Sequence, residues 1–121
     1  MVLLLGCASA KMYDKTHRTD RLRQLYPPGE TSLEDVHKKI QSAPNISETR
    51  PKDGWDHHKN TSFAKKLQDL EDKNRKEILS FEKYMLPDPK SSFDFLSLCN
   101  VWFCYSANDL IVDVEWEFQS D

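Results

Sequence analysis

Hydrophobic residues are spread unevenly along the 121-residue chain, and their spacing changes from one stretch to the next. Between Asn60 and Leu86 the apolar side chains recur at 63, 67, 70, 78, 81 and 85, the three-and-four spacing of one helix face. Three acids stand four residues ahead of a base: Asp69 before Lys73, Glu71 before Arg75, Asp72 before Lys76. That polarity favours a helix by about 0.2–0.5 kcal/mol per pair. The pattern predicts one long, charged, amphipathic helix over 60–86, stopped by Pro87 and Pro89. In heptad register Asn74 and Glu77 would sit in the seam. Two uses fit this helix: a coiled-coil homodimer, or a single helix laid into the groove of a protein partner. In the second, Phe63, Leu67, Leu70, Ile78 and Phe81 form the docking face.

Upstream the periodic stretches are shorter. Leu22, Leu25 and Tyr26 form a helical triplet that Thr16 or Thr19 could cap and that Pro27-Pro28-Gly29 ends. Thr31 and Glu34 read as a capping box opening a helix with Leu33, Val36 and Ile40 on one face. Residues 43–59 have no period; Pro44, Pro51 and Gly54 mark an extended linker. Trp55 stands in it, either docked on a neighbouring helix or serving as a partner-binding anchor.

Downstream the period switches to two. Val112, Val114, Trp116 and Phe118 alternate with Asp113, Glu115 and Glu117, as in a half-buried strand. With the apolar run Leu98–Tyr105 and a turn at Ser106–Asp109, this predicts a C-terminal β-hairpin, marginal on its own in water. Such a tail is an interface element, an aggregation hazard, or a variant end not matched to the rest. The expected fold is mainly α: one long charged helix and one or two short ones, joined by extended or disordered segments, with that hairpin. Its divisions are an apolar leader at 1–11, short helices and linker at 12–59, the long helix at 60–86 and the acidic apolar tail at 90–121.

Composition adds to this. Apolar residues make up 38% of the chain, charged residues 31%, and the mean hydropathy is −0.72. Between Lys11 and Lys90 the hydrophobes are isolated, so partial disorder or ordering on a partner is expected. Residues 1–90 hold all 17 Lys and Arg against 14 acids, net +3, whereas 91–121 hold six acids and no Lys or Arg. A mildly basic body suits an acidic partner surface but is too weakly charged to argue for nucleic acid.

The candidate chemistry is sparse. Cys7, Cys99 and Cys104 make no disulfide framework or zinc set, and His57-His58 lacks ligand spacing. Asp56, His57 and His58 lie in a linker without a phosphate cradle or nucleophile–base pattern. No catalytic role, metal or cofactor is therefore expected. Leu4-Leu5-Gly6-Cys7 and Ala8-Ser9-Ala10 resemble lipoprotein and signal-peptidase sites. The apolar run before them is shorter than the roughly 7–15 residues of a signal-peptide core. Met12 offers an alternative start, and no stretch approaches the ~20 apolar residues that span a membrane.

Residues 37 to 79 carry a run His37-Lys38-Lys39-Ile40-Gln41-Ser42-Ala43-Pro44-Asn45-Ile46, then Thr49 and Pro51. His57 or His58 follows, then Lys65-Lys66-Leu67-Gln68, Glu71, Arg75 and Ile78. This resembles the Hemingway family of small cilia- and flagella-associated proteins, although no lysine separates Ala43 from Pro44. The resemblance implies a non-enzymatic role in the axoneme, with microtubule components as partners and a location in the cytoplasm, cytoskeleton, cilium or flagellum. The reading is thus a structural or adaptor protein docking through Trp55 and the 60–86 helix; the alternative is a small secreted or lipid-anchored protein.

Overall fold

The structure, a computed structural model, describes residues 6–87 and 98–118, with side chains at 15–86 and 99–117. Residues 1–5 of the leader, Pro89 and the start of the tail lie outside the described residues. The mainly α expectation is overturned: among the described residues three helices accompany a four-stranded antiparallel sheet of order β1-β2-β3-β4. In chain order the elements are α1 (Gly6–Leu25), α2 (Leu33–Lys39), β1 (Ile46–Thr49), a 3-10 turn (Trp55–His57), α3 (Thr61–Asn74), β2 (Ser80–Pro87), β3 (Leu98–Tyr105) and β4 (Ile111–Phe118).

The long helix is the main correction. It starts where predicted, capped by the Asn60 side chain, which accepts from the amides of Ser62 (3.0 Å) and Phe63 (3.2 Å). It ends at Asn74, because Arg75 turns left-handed at φ 52°. Glu71 organises the break: its carboxylate accepts from the Ile78 amide at 2.9 Å and from Arg50 Nε at 3.1 Å. Beyond it, residues 80–87 pair with β3 over eight positions, from Ser80 opposite Tyr105 to Pro87 opposite Leu98. The helical spacing of 78, 81 and 85 is a local preference of tenths of a kcal/mol per contact. A full ladder against the most apolar segment of the chain outweighs it. Among the described residues none of the three predicted i,i+4 ion pairs closes; Glu71 turns to Arg50, and Asp72 accepts from Gln68 instead.

The hairpin is not a marginal appendage either. β3 lies between β2 and β4 and is covered on both faces. Val101, Phe103 and Tyr105 pack toward α1 and α2, with Leu22, Val36 and Ile40. Trp102 and Cys104 pack toward α3, with Trp55, Leu67, Leu70 and Phe81. A strand buried on both sides needs an unbroken apolar run, which is what residues 101–105 supply. A modest apolar fraction thereby builds two core layers around one sheet.

Further corrections concern the short elements. The capping box of α2 is Ser32 with Asp35 rather than Thr31 with Glu34. Residues 31–33 are held extended against the β3–β4 turn, the Leu33 amide donating to the Asp109 carbonyl at 2.8 Å, so the helix begins one residue later. The segment read as linker contains β1 and the 3-10 turn, and β1 pairs antiparallel with β2. α1 crosses the expected boundary between 11 and 12, so Thr16 and Thr19 are interior to a helix instead of capping one.

α1 runs along the outer edge of β4. The Trp116 amide, on the side away from β3, donates to Thr19 Oγ1 at 3.2 Å, and the Arg18 guanidinium lies 4.8 Å over the Trp116 ring. A free strand edge is thereby covered, one of the ways a sheet avoids pairing with a second chain. The other edge strand, β1, has four residues.

Candidate functional site

The six residues expected to meet a partner are brought together, but in the interior. Trp55, Leu67, Ile78 and Phe81 are fully buried and Leu70 is 4% exposed. Phe63, half-buried, sets its ring edge-on to Trp102 at 5.0 Å and to Phe81 at 5.7 Å. Trp55 Nε1 donates to the Ile78 carbonyl at 2.7 Å. The apolar stripe of α3 is therefore occupied by the protein's own sheet.

The charged residues have a different arrangement, which explains the uneven charge of the chain. Asp113, Glu115 and Glu117 of β4 face α3, at the junction with α1. The Asp113 side chain, 2% exposed, accepts from Arg23 Nε (2.9 Å) and Nη2 (3.2 Å), from Asn74 Nδ2 (3.0 Å) and from the Val114 amide (2.8 Å). Glu115 takes Lys66 at 2.7 Å and Lys15 at 3.2 Å; Glu117 takes Lys66 at 2.8 Å. Three acids of the tail, Asp113, Glu115 and Glu117, are thus each paired with bases of the body, which speaks against an end unmatched to the rest.

Burial alone would push the Asp113 and Glu115 carboxyls up, but their hydrogen bonds from Arg23 and Asn74, and from Lys66, outweigh it and hold both below the ordinary range. Lys66, whose ammonium burial would disfavour, is likewise pushed up by its two carboxylates. Both carboxyls are more acidic folded than unfolded. Their contribution is complete above their ordinary values of 3.8 and 4.5 and is lost as pH falls through and below them. Urea midpoints are expected to be flat above about pH 5 and to fall steadily below about pH 4; a midpoint constant down to pH 3 would contradict this pairing.

Above these pairs, α1 and α3 leave two adjoining clefts. The larger, about 470 Å³, is lined by Lys65, Lys66, Asp69, Leu70 and Glu117 among others. The smaller, about 280 Å³, is lined by Thr16, Thr19 and Arg23, and both share Lys15, Lys73 and Glu115. Lys65 and Lys73 are exposed and make no ion pair among the described residues. The clefts therefore carry two ammonium groups outside ion pairs and one such carboxylate, Asp69, above the paired Glu115 and Glu117. Lys65, Lys66 and Lys73 stand out in the sequence as bases alternating with acids; Lys15, Thr16 and Thr19 become visible only once α1 is seen beside α3.

Two other polar clusters are fully engaged. Glu82, 5% exposed, is hydrogen-bonded through Oε2 to His37 Nε2 (2.7 Å) and through Oε1 to the hydroxyls of Tyr105 (2.8 Å) and Tyr84 (3.2 Å). It ties α2 to the sheet, and burial pushes both phenols well up. His58 accepts the Asn60 amide at Nδ1 (2.9 Å), so its proton is on Nε2, which donates to Glu48 at 2.8 Å. This histidine positions the cap of α3, while Asp56 and His57 are exposed. Cys99 and Cys104 are buried, and the Cys104 thiol is pushed far up by desolvation.

Among the described residues, no group of three or more His, Cys, Asp or Glu side chains could hold a metal ion, and no helix is long and apolar enough to cross a membrane. No family model matches the chain, and no curated protein or solved structure is significantly similar to it.

Proposed function

We propose that this protein is a non-enzymatic adaptor that holds an acidic, extended segment of a protein partner in the clefts between α1 and α3. The observation that carries this reading is the charge balance of the larger cleft: Lys15 and Lys66 answer Glu115 and Glu117, and the remaining lining charges are two exposed lysines, Lys65 and Lys73, against one acid, Asp69. An acidic segment supplies the missing counter-charges, while the aliphatic stems of the lysines and the edge of Leu70 offer it apolar contact. Docking thus uses the charged side of α3, since its apolar side is committed to the core. The resemblance of residues 37–79 to Hemingway proteins supports an axonemal setting for the partner. Localisation of a tagged copy in ciliated cells tests that part; diffuse signal would remove the axoneme from the reading but leave the cleft.

The cleft is tested with a fluorescein-labelled Glu/Asp-rich peptide and the full chain. Exposed ion pairs contribute about 0.2–1 kcal/mol each, and reversal adds repulsion, so Lys65→Glu with Lys73→Glu is expected to weaken capture by about tenfold or more. Urea unfolding should shift only slightly, since neither side chain is in an ion pair and each reversal adds one i,i+4 repulsion with Asp69 of about 0.2–0.5 kcal/mol. Capture should also weaken between 50 and 300 mM salt as screening shortens. Affinity insensitive to both changes would exclude the cleft as the docking site.

A further inference from the structure

We propose that the smaller cleft is a phosphoryl subsite, so that the acidic segment bound there carries a phosphoserine or phosphothreonine; this rests on the reading above. The donors point to it. Thr19 is 6% exposed, and its Oγ1 already accepts the Trp116 amide, so its one hydroxyl proton is left for another acceptor. Among the described residues it donates to none, and the same holds for Thr16, three residues earlier on the same face of α1. Lys73 completes the wall from α3. Lys15, half-buried, holds Glu115 by the longer of its two ion pairs, 3.2 Å against 2.7 Å for Lys66, so it can turn to a ligand while Lys66 stays on Glu115 and Glu117.

Arg23 lines the same cleft but is pinned, its Nε and Nη2 on Asp113 and its Nη1 on Asp20. It gives no free fork, and its charge is cancelled by Asp113. Lys66 is shared by Glu115 and Glu117, so Lys15 and Lys66 together balance those two carboxylates and the net charge left to a ligand is that of Lys73. A phosphoryl group carries about −1.5 to −2 and three acceptor oxygens. Two ammonium groups and two hydroxyl donors match three acceptor oxygens more fully than they match the two oxygens of a carboxylate.

The test uses three forms of one labelled acidic peptide, with serine, phosphoserine or glutamate at its centre, titrated by fluorescence anisotropy against the full chain. The phosphoserine form is expected to bind at least tenfold more tightly than the serine form and at least threefold more tightly than the glutamate form. Thr16→Val, an exposed substitution confined to the smaller cleft, should shrink that preference several-fold. Lys65→Gln, in the larger cleft only, should weaken all forms alike. Equal binding of serine and phosphoserine forms would overturn the subsite and leave the acidic-segment reading standing. A glutamate form as tight as the phosphoserine form would reduce the subsite to a charge site and overturn it too. Failure of all three forms to bind would overturn both readings.

Discussion

Trp55→Ala is expected to cost about 3–5 kcal/mol of folding stability, the range for removing a large buried aromatic. Native domains of this size are stable by only about 5–15 kcal/mol, so the variant should lose much of its margin. Trp55 has no solvent exposure, packs edge-on to Phe81 at 5.6 Å, and donates from Nε1 to the Ile78 carbonyl at 2.7 Å. It stands where the break after α3 feeds β2, and truncation would leave both a cavity and a buried carbonyl without its donor. Trp55→Phe separates the two contributions: it keeps most of the packing and should cost about 1–3 kcal/mol for the unsatisfied carbonyl. Urea midpoints at fixed slope measure both. A Trp55→Ala protein unfolding near the wild-type midpoint would mean that this ring is not in the core, and would restore Trp55 as a partner anchor.

Arg23→Met is expected to destabilise the protein by about 3 kcal/mol, the lower part of the range for stripping one partner from a buried ion pair, because Arg23 itself is partly exposed. The loss comes from Asp113, whose carboxylate, 2% exposed, would keep only Asn74 and the Val114 amide. Arg23→Met combined with Asp113→Leu should recover much of it, since two apolar groups leave no orphaned charge. The cycle reads the coupling directly. Single and double variants of equal stability would show that the pair contributes nothing to holding α1 along β4. The two predictions probe opposite supports, the aromatic core under α3 and the ionic seam under α1.

How much of this was legible in the sequence differs from element to element. The start of α3 near residue 60 was legible because the apolar spacing at 63, 67 and 70 lies wholly within the helix. The period-two run at 112–118 announced β4 for a similar reason, since alternation along a strand is written in consecutive residues. The end of α3 was not legible. Residues 78–86 satisfy a helical period and a strand, and the choice depends on β3, which begins at Leu98. Of the candidate site, the bases of α3 could be named but their state could not. Lys66 is paired by carboxylates 49 and 51 positions away, whereas Lys65 beside it is not. The contributions of Thr16 and Thr19 were hidden because α1, with few apolar residues, is held on β4 by polar contacts.

By itself the sequence determined whatever depends on neighbours a turn or a pleat away: the start of α3 and the cap of α2 to within a residue, the stop at Pro27–Gly29, the alternation of β4, the apolar run of β3 and the separation of a basic body from an acidic tail. The tertiary structure alone decided that Ile78–Leu86 leaves the helix, that Trp55 and the α3 stripe face inward, and that the acids of β4 meet the bases of α1 and α3. Local preferences of tenths of a kcal/mol act between near residues and can be read one by one. A sheet with a core layer on each face gains far more by burying distant segments together, and that gain exists only when the whole chain has closed around it.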